Sequence, residues 1–422
     1  MTLVRKGLIR GFRILLIPVI GGIAGLVLLA LAFLLPAGPI AEHVGASVST
    51  LYNEGVYFSV TPKLAGTQLD NYTEALYLNQ ALISTQDANL VDCVLSGYQR
   101  TSLSYTGDGN TVQNLADVTE NAEDTVLDEE NKRFFNGYTA AVKFLLLFTH
   151  YSGIRQINLY ASLFLLLILL ALMIRRGMKH YTLPVIVSLL LIHPVSMALN
   201  MASFGFYACM MIPCICMLLM KKETLEQKAW LLFGITGAAT YYFNMNFIQL
   251  LSFGIPILFY FLITGIPEKT LKMIGKTAGL FFVWMTGLVG MMVFKWAVYA
   301  VVKDPGVFRE MLDQFFFRAG ESEGGRIDAI MRNVSVAFEN KWWNLLELVF
   351  IVYTVIRMIR NKTRLSVSLP EIVLPAMMIL LPAARYFILS NHVLVHTWTT
   401  YRLLMIPVLA VNLMLTRKST GE

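Results

Sequence analysis

The sequence predicts an all-α fold: a polytopic membrane helix bundle of about ten spans, with one large polar loop after the first span. Three observations carry that prediction. Apolar residues make up 56 % of the 422 residues and charged residues only 14 %, against roughly a quarter charged in soluble domains. So much apolar surface does not fit inside a water-soluble core, so a bilayer must act as a second solvent. Finally, lysines and arginines recur in the short connectors between apolar runs, at every second turn, which is the positive-inside pattern. That placement also explains the net charge of +7 without invoking a nucleic-acid partner.

Taken in order, Arg5, Lys6, Arg10 and Arg13 precede the first apolar run, Ile14 to Pro36, and predict a cytoplasmic N-terminus in the cell (plasma) membrane. The run is too long for a signal-peptide core of roughly 7–15 residues and reads as a retained helix. Residues 1–36 are thus the basic end and first span. Residues 37–155 read as an external region. It is strongly acidic, with Asp117, Glu120, Glu123, Asp124, Asp128, Glu129 and Glu130 close together, and Gly97 to Asn114 reads as flexible. Tyr138 to His150 is apolar but too short to span, and it predicts an interfacial or re-entrant segment. Residues 156–422 carry the remaining crossings: 156–174, 183–199, 204–220, 229–242, 247–266, 278–301, 345–359, 372–389 and 401–415, with a second external loop at 303–343. Polar residues interrupt two of these pairs, around His193 and Asn200 and around Asn244 and Asn246. The C-terminus is predicted on the cytoplasmic side. Cys93, Cys209, Cys214 and Cys216 show no disulfide framework and read as buried thiols.

Chemistry concentrates in a few places. Gly66 to Asn79 predicts a short amphipathic helix, with Leu69, Tyr72, Leu76 and Ile83 near one face and Asp70 and Glu74, four apart, on another. A carboxylate held near lipid beside a like charge has its pKa raised toward working pH, as a general base requires. The competing reading is that Thr67 or Asp70 caps the helix. Candidate cations on the same side are Arg133, Lys143, Arg155, Lys295, Arg385 and Arg402. Arg385 and Arg402 bracket a short turn carrying His392 and His396, a grouping that suits a phosphate. Interfacial anchoring and snorkelling to headgroups are the alternatives. No metal-ligand set shows, nor a P-loop, a dinucleotide fingerprint or a nucleophile elbow.

The order of parts resembles the GT-C superfamily of membrane glycosyltransferases: a first helix, a large outer loop holding an acidic helix, an interfacial segment, then many spans. Three stretches, Gln68–Ala75, Arg133–Tyr138 through Tyr151–Asn158, and His396–Arg402, are similar to uncharacterised bacterial multispan proteins associated with cell-envelope polysaccharide. The resemblance implies transfer of a hexosyl or pentosyl group from a polyprenyl-phosphate donor to a glycan or lipid acceptor on the outer face. It assigns the catalytic base to Asp70, with Glu74 second, and the donor phosphate to arginines among those named. A divalent ion, Mg or Mn, is used by some relatives. A flippase or transporter of lipid-linked saccharides, or a non-enzymatic export component, is the alternative.

Overall fold

The structure is a computed structural model that describes residues 3–107, 109–129, 131–243, 248–320, 325–362 and 367–420. The interruption expected at Asn244 and Asn246 lies outside the described residues, as do Glu130 and Arg364. The chain is an all-α membrane protein. Seven helices are long and apolar enough to cross a bilayer: Ile9–Phe33, Tyr151–Arg175, Met201–Leu219, Thr270–Val302, Lys341–Arg360, Leu369–Ile388 and Thr397–Ser419. Leu251–Thr264 is apolar but shorter, and Lys222–Phe243 carries its charges in its first two turns. The stretch expected to run from Leu183 to Leu199 is broken. It forms Thr182–Leu190 and Pro194–Ala198, joined by His193 in a left-handed conformation with φ 49°. Pro194 has no N–H to continue the first helix and instead starts the second.

Helix Lys222–Phe243 packs backbone to backbone on Thr270–Val302. A Cβ on Gly237 would lie 2.0 Å from the Trp284 carbonyl oxygen, and one on Gly287 would lie 2.1 Å from that of Gly234. Small residues of this kind let membrane helices approach closely where no hydrophobic effect drives them together.

Residues 37–150 form a folded cap rather than a loose loop. Pro36 ends the first helix and precedes a new one, Ala37–Glu54. Its Ile40, Val44 and Leu51 pack with Ala75 and Leu78 of helix Asn71–Leu82 and with Val112 and Leu115 of helix Thr111–Glu120. The region expected to be flexible, Gly97 to Asn114, contains a strand, Gln99–Ser102, paired antiparallel with Thr125–Asp128. Its asparagines serve as strand partners. Asn79 accepts from Arg100 N at 2.7 Å and donates to Arg100 O at 2.8 Å, and Asn114 accepts from Ser102 N at 3.0 Å. Helix Asn71–Leu82, expected to be amphipathic, is buried on nearly every side because three cap helices surround it.

Two buried lysines hold the cap, one from within it and one from a span. Lys143, on helix Tyr138–Leu145, donates to the Ala81 and Ile83 carbonyls at 2.9 and 2.8 Å. It is 1 % exposed, so it closes the C-terminus of Asn71–Leu82 rather than reaching for lipid. Phe144 and Phe148 of the same segment are exposed instead. Lys295 does the same for Leu90–Ser96 through the Leu95 carbonyl at 2.6 Å. Replacing Lys143 by methionine strands two buried carbonyls and is expected to cost about 2–4 kcal/mol. Thermal unfolding of the purified chain checks this.

Candidate functional site

Asp70 sits at the N-cap of Asn71–Leu82. Its carboxylate accepts from Thr73 N at 3.1 Å and from Thr73 Oγ1 at 2.6 Å. The capping reading therefore holds, but Asp70 is more than a surface cap, since it is buried. Burial pushes its pKa up, while the two bonds from Thr73 and the charge of Arg402 pull the other way. The strand-like segment before it pairs Ser59 with Gln68 and sends Leu69 N to Phe58 O at 2.7 Å. That turn brings Tyr57 close enough for the Asp70 charge to raise the phenol's pKa, after burial.

Glu74, the second expected carboxylate, is committed elsewhere. It is fully buried and accepts from Met201 N at 2.9 Å, Ala202 N at 3.2 Å and Tyr151 Oη at 3.0 Å. It thus satisfies orphan donors at the start of span Met201–Leu219 and pins the cap to the bundle. Burial raises its pKa to about 7 against those bonds and the Arg155 charge. An acid raised in the folded state binds more protons than the unfolded chain, so stability falls as pH rises from about 4.5 to 7. We expect the melting temperature to drop over that window and Glu74→Gln to flatten the profile. A wild-type profile that rises instead contradicts this assignment.

The expected phosphate ligands divide. Arg155 grips Glu54 with two bonds, 2.6 and 2.8 Å, also meets Asn71 Oδ1 at 3.2 Å, and stacks on Tyr151. Glu54 went unnoticed in the sequence, and it removes Arg155 from the set. Arg402 is buried and spends its donors on Ile192 O at 3.2 Å, Thr399 Oγ1 at 3.0 Å and Gly66 O at 3.1 Å. Tyr401 Oη reaches the same Gly66 carbonyl at 3.2 Å. Arg402 therefore holds the turn that carries Asp70. Lys143 is occupied by carbonyls as described.

Arg133 and Arg385 do come together, and Arg318 joins them. All three line a cavity of about 410 Å³ with His392. Arg318 belongs to helix Val307–Ala319, inside the segment expected to be a second loop. The sequence signal for it is Phe315-Phe316-Phe317-Arg318, an aromatic run too apolar for a solvated loop. Burial, and then the charge of Arg133, lower its pKa to about 10. Neither Arg133 nor Arg318 has a carboxylate partner among the described residues, and Arg133 Nε is buried without a hydrogen bond. The walls below are apolar and aromatic. From Phe281 to Trp296 the lining of span Thr270–Val302 runs roughly 22 Å at 1.5 Å per residue.

Rings connect the two regions. Tyr57 lies 6.3 Å from Trp398, Trp398 6.2 Å from His396, and His396 4.7 Å from His392. Burial first, then the charges of Arg318 and Arg385, lower His396 to about 4, so it is neutral at physiological pH. Asp70 is not among the residues lining the arginine cavity.

No family model, no curated protein and no solved structure matches this chain.

The donor set does not fit a divalent ion either. Among the described residues no three His, Cys, Asp or Glu side chains gather as ligands. Both Asp70 oxygens accept from Thr73, and the four cysteines, three of them buried, form no disulfide.

Proposed function

We propose that this chain is a membrane glycosyltransferase of the GT-C kind, moving a sugar from a polyprenyl-phosphate donor to an acceptor at the cap face. One observation carries the reading: the aromatic-walled cavity that ends in Arg133, Arg318 and Arg385. A long hydrocarbon chain with a phosphate at one end matches both halves of that cavity. Guanidinium forks suit phosphate oxygens, and Arg133 and Arg318, which have no carboxylate partner among the described residues, gain most from an anion.

In the reaction, the acceptor hydroxyl oxygen attacks the anomeric carbon while the bond from that carbon to the phosphate oxygen breaks. Polyprenyl phosphate leaves with the bonding electrons, stabilised by the three arginines. Asp70, lifted by burial, takes the hydroxyl proton. A single displacement inverts the anomeric centre. Glu74 has no part in this chemistry.

The same reading places the protein in the cell membrane with the cap outside. Lys222–Phe243, Leu251–Thr264 and the broken pair at His193 would join the seven longer helices to make ten crossings. That even number puts both termini in the cytoplasm, where Arg175, Lys179, Lys221, Arg357, Arg360, Arg417 and Lys418 lie.

The alternative is a flippase of lipid-linked saccharides. Ion-coupled transport calls for an available carboxylate within the spans. Glu371 is tied to Lys418 at 2.9 Å and to Ser368, and Glu347 accepts from Asn412 at 3.2 Å. The deciding experiment compares surface glycans from cells lacking the chain and cells carrying Asp70→Asn. Loss of one sugar branch in both supports transfer. Accumulation of finished lipid-linked units inside the cell supports translocation and refutes the enzyme reading.

A further inference from the structure

A second cavity, about 450 Å³, lies on another side of the bundle and shares no lining residue with the first. Its walls are spans Tyr151–Arg175 and Met201–Leu219 together with helix Lys222–Phe243, and its roof is helix Tyr138–Leu145. Gly205, Ala208 and Ala239 keep it open by being small. No arginine, lysine or carboxylate lines it. Beside the roof, Phe144 and Phe148 are 55 % and 70 % exposed, a lipid-facing edge at the level where the cap meets the spans.

Three amide or hydroxyl side chains line this apolar space; Tyr138 donates to Gln80 and Thr236 to the Leu232 carbonyl, which leaves Asn158. Asn158 lines the cavity, is 4 % exposed, and makes no hydrogen bond. It lies on the span roughly 10 Å from Tyr151 at the cap end, at 1.5 Å per residue. A buried amide without a partner is destabilising unless a ligand supplies one. Apolar space with one unpaired neutral amide near its upper end, and no cation in its lining, does not suit a phosphate at that depth. It matches an acyl chain whose ester carbonyl meets the Asn158 amide.

We infer that this groove binds an ester-linked glycerolipid, and that such a lipid is the sugar acceptor. The binding site stands on the groove and Asn158 alone, whereas the acceptor role rests on the glycosyltransferase reading. Donor and acceptor then enter from different sides of the bundle and present their head groups beneath one cap.

The test uses the full chain in phosphatidylcholine nanodiscs with two photoactivatable probes, mapped by peptide mass spectrometry. One is a diacylglycerol carrying a diazirine on its acyl chain, and the other is a prenyl phosphate carrying a diazirine on its tail. The diacylglycerol probe is expected to label the peptide spanning Met201 to Cys216. Ala208→Phe, which fills the groove, should lower that labelling about tenfold. Asn158→Leu should lower it for the ester probe and leave a dialkyl ether analogue unchanged. Labelling that survives Ala208→Phe is ordinary annular contact and overturns the inference. So does labelling of this groove by the prenyl probe, which would make it the donor's own path. If the ester probe labels the groove while the prenyl probe misses the arginine cavity, the lipid site stands and the glycosyltransferase reading fails.

Discussion

Asp70→Asn is expected to lower sugar transfer by about 10²–10⁴-fold, the contribution of a positioned general base, with little change in stability. The stability half of that expectation follows from the cap. Asparagine is as good an N-cap as aspartate, and its carbonyl oxygen can still accept from Thr73 N. What the substitution removes is the ability to take a proton. Asp70→Ala should add a loss of about 1 kcal/mol of stability, because the cap goes too. The comparison separates two roles that share one side chain. If Asp70→Asn transfers sugar at the wild-type rate and melts at the wild-type temperature, Asp70 is a helix cap and nothing more.

The second large effect belongs to Arg318. Charge-assisted bonds are worth about 1.5–3 kcal/mol each, so Arg318→Ala should weaken prenyl phosphate binding about 10- to 100-fold. Arg318→Lys should recover only part of it, since an ammonium lacks the planar fork. The unliganded protein should respond in the opposite direction. Arg318 and Arg133 repel one another in a buried setting, so Arg318→Ala leaves the melting temperature unchanged or raises it. An arginine with a purely structural role would destabilise the fold on removal. Binding measured beside thermal unfolding therefore distinguishes the two.

The bundle was legible because long apolar runs and basic connectors are local signals. Seven spans, a separate polar segment after the first, and the break near His193 all have such signals. The cap's interior was not legible. Asn79 and Asn114 look like loop residues until the strand they satisfy is known, and the acidic residues flanking Thr125–Asp128 conceal that strand's partner. Helical spacing placed Asp70 and Glu74 four apart and suggested a shared site. Burial separated them: one caps its own helix, and the other caps span Met201–Leu219, more than a hundred residues further along. The arginines show the same limit. Sequence identifies which cations sit near one membrane face but not which have a carboxylate waiting. Glu54 claims Arg155 and backbone carbonyls claim Arg402, while Arg133 and Arg385 converge with Arg318 from a segment that reads as a loop.

What the arginine cavity holds decides whether this chain has a donor site. Trp284 and Trp296 line it, so their fluorescence reports occupancy directly in the purified full chain. Titration with a short-chain prenyl phosphate and with the prenol of equal length isolates the contribution of the phosphate. The expected result is binding of the phosphate at least about 30-fold tighter than the alcohol, weakening with salt. Equal affinity for the two would show that the three arginines do not bind a phosphate, and the proposed donor site would be lost.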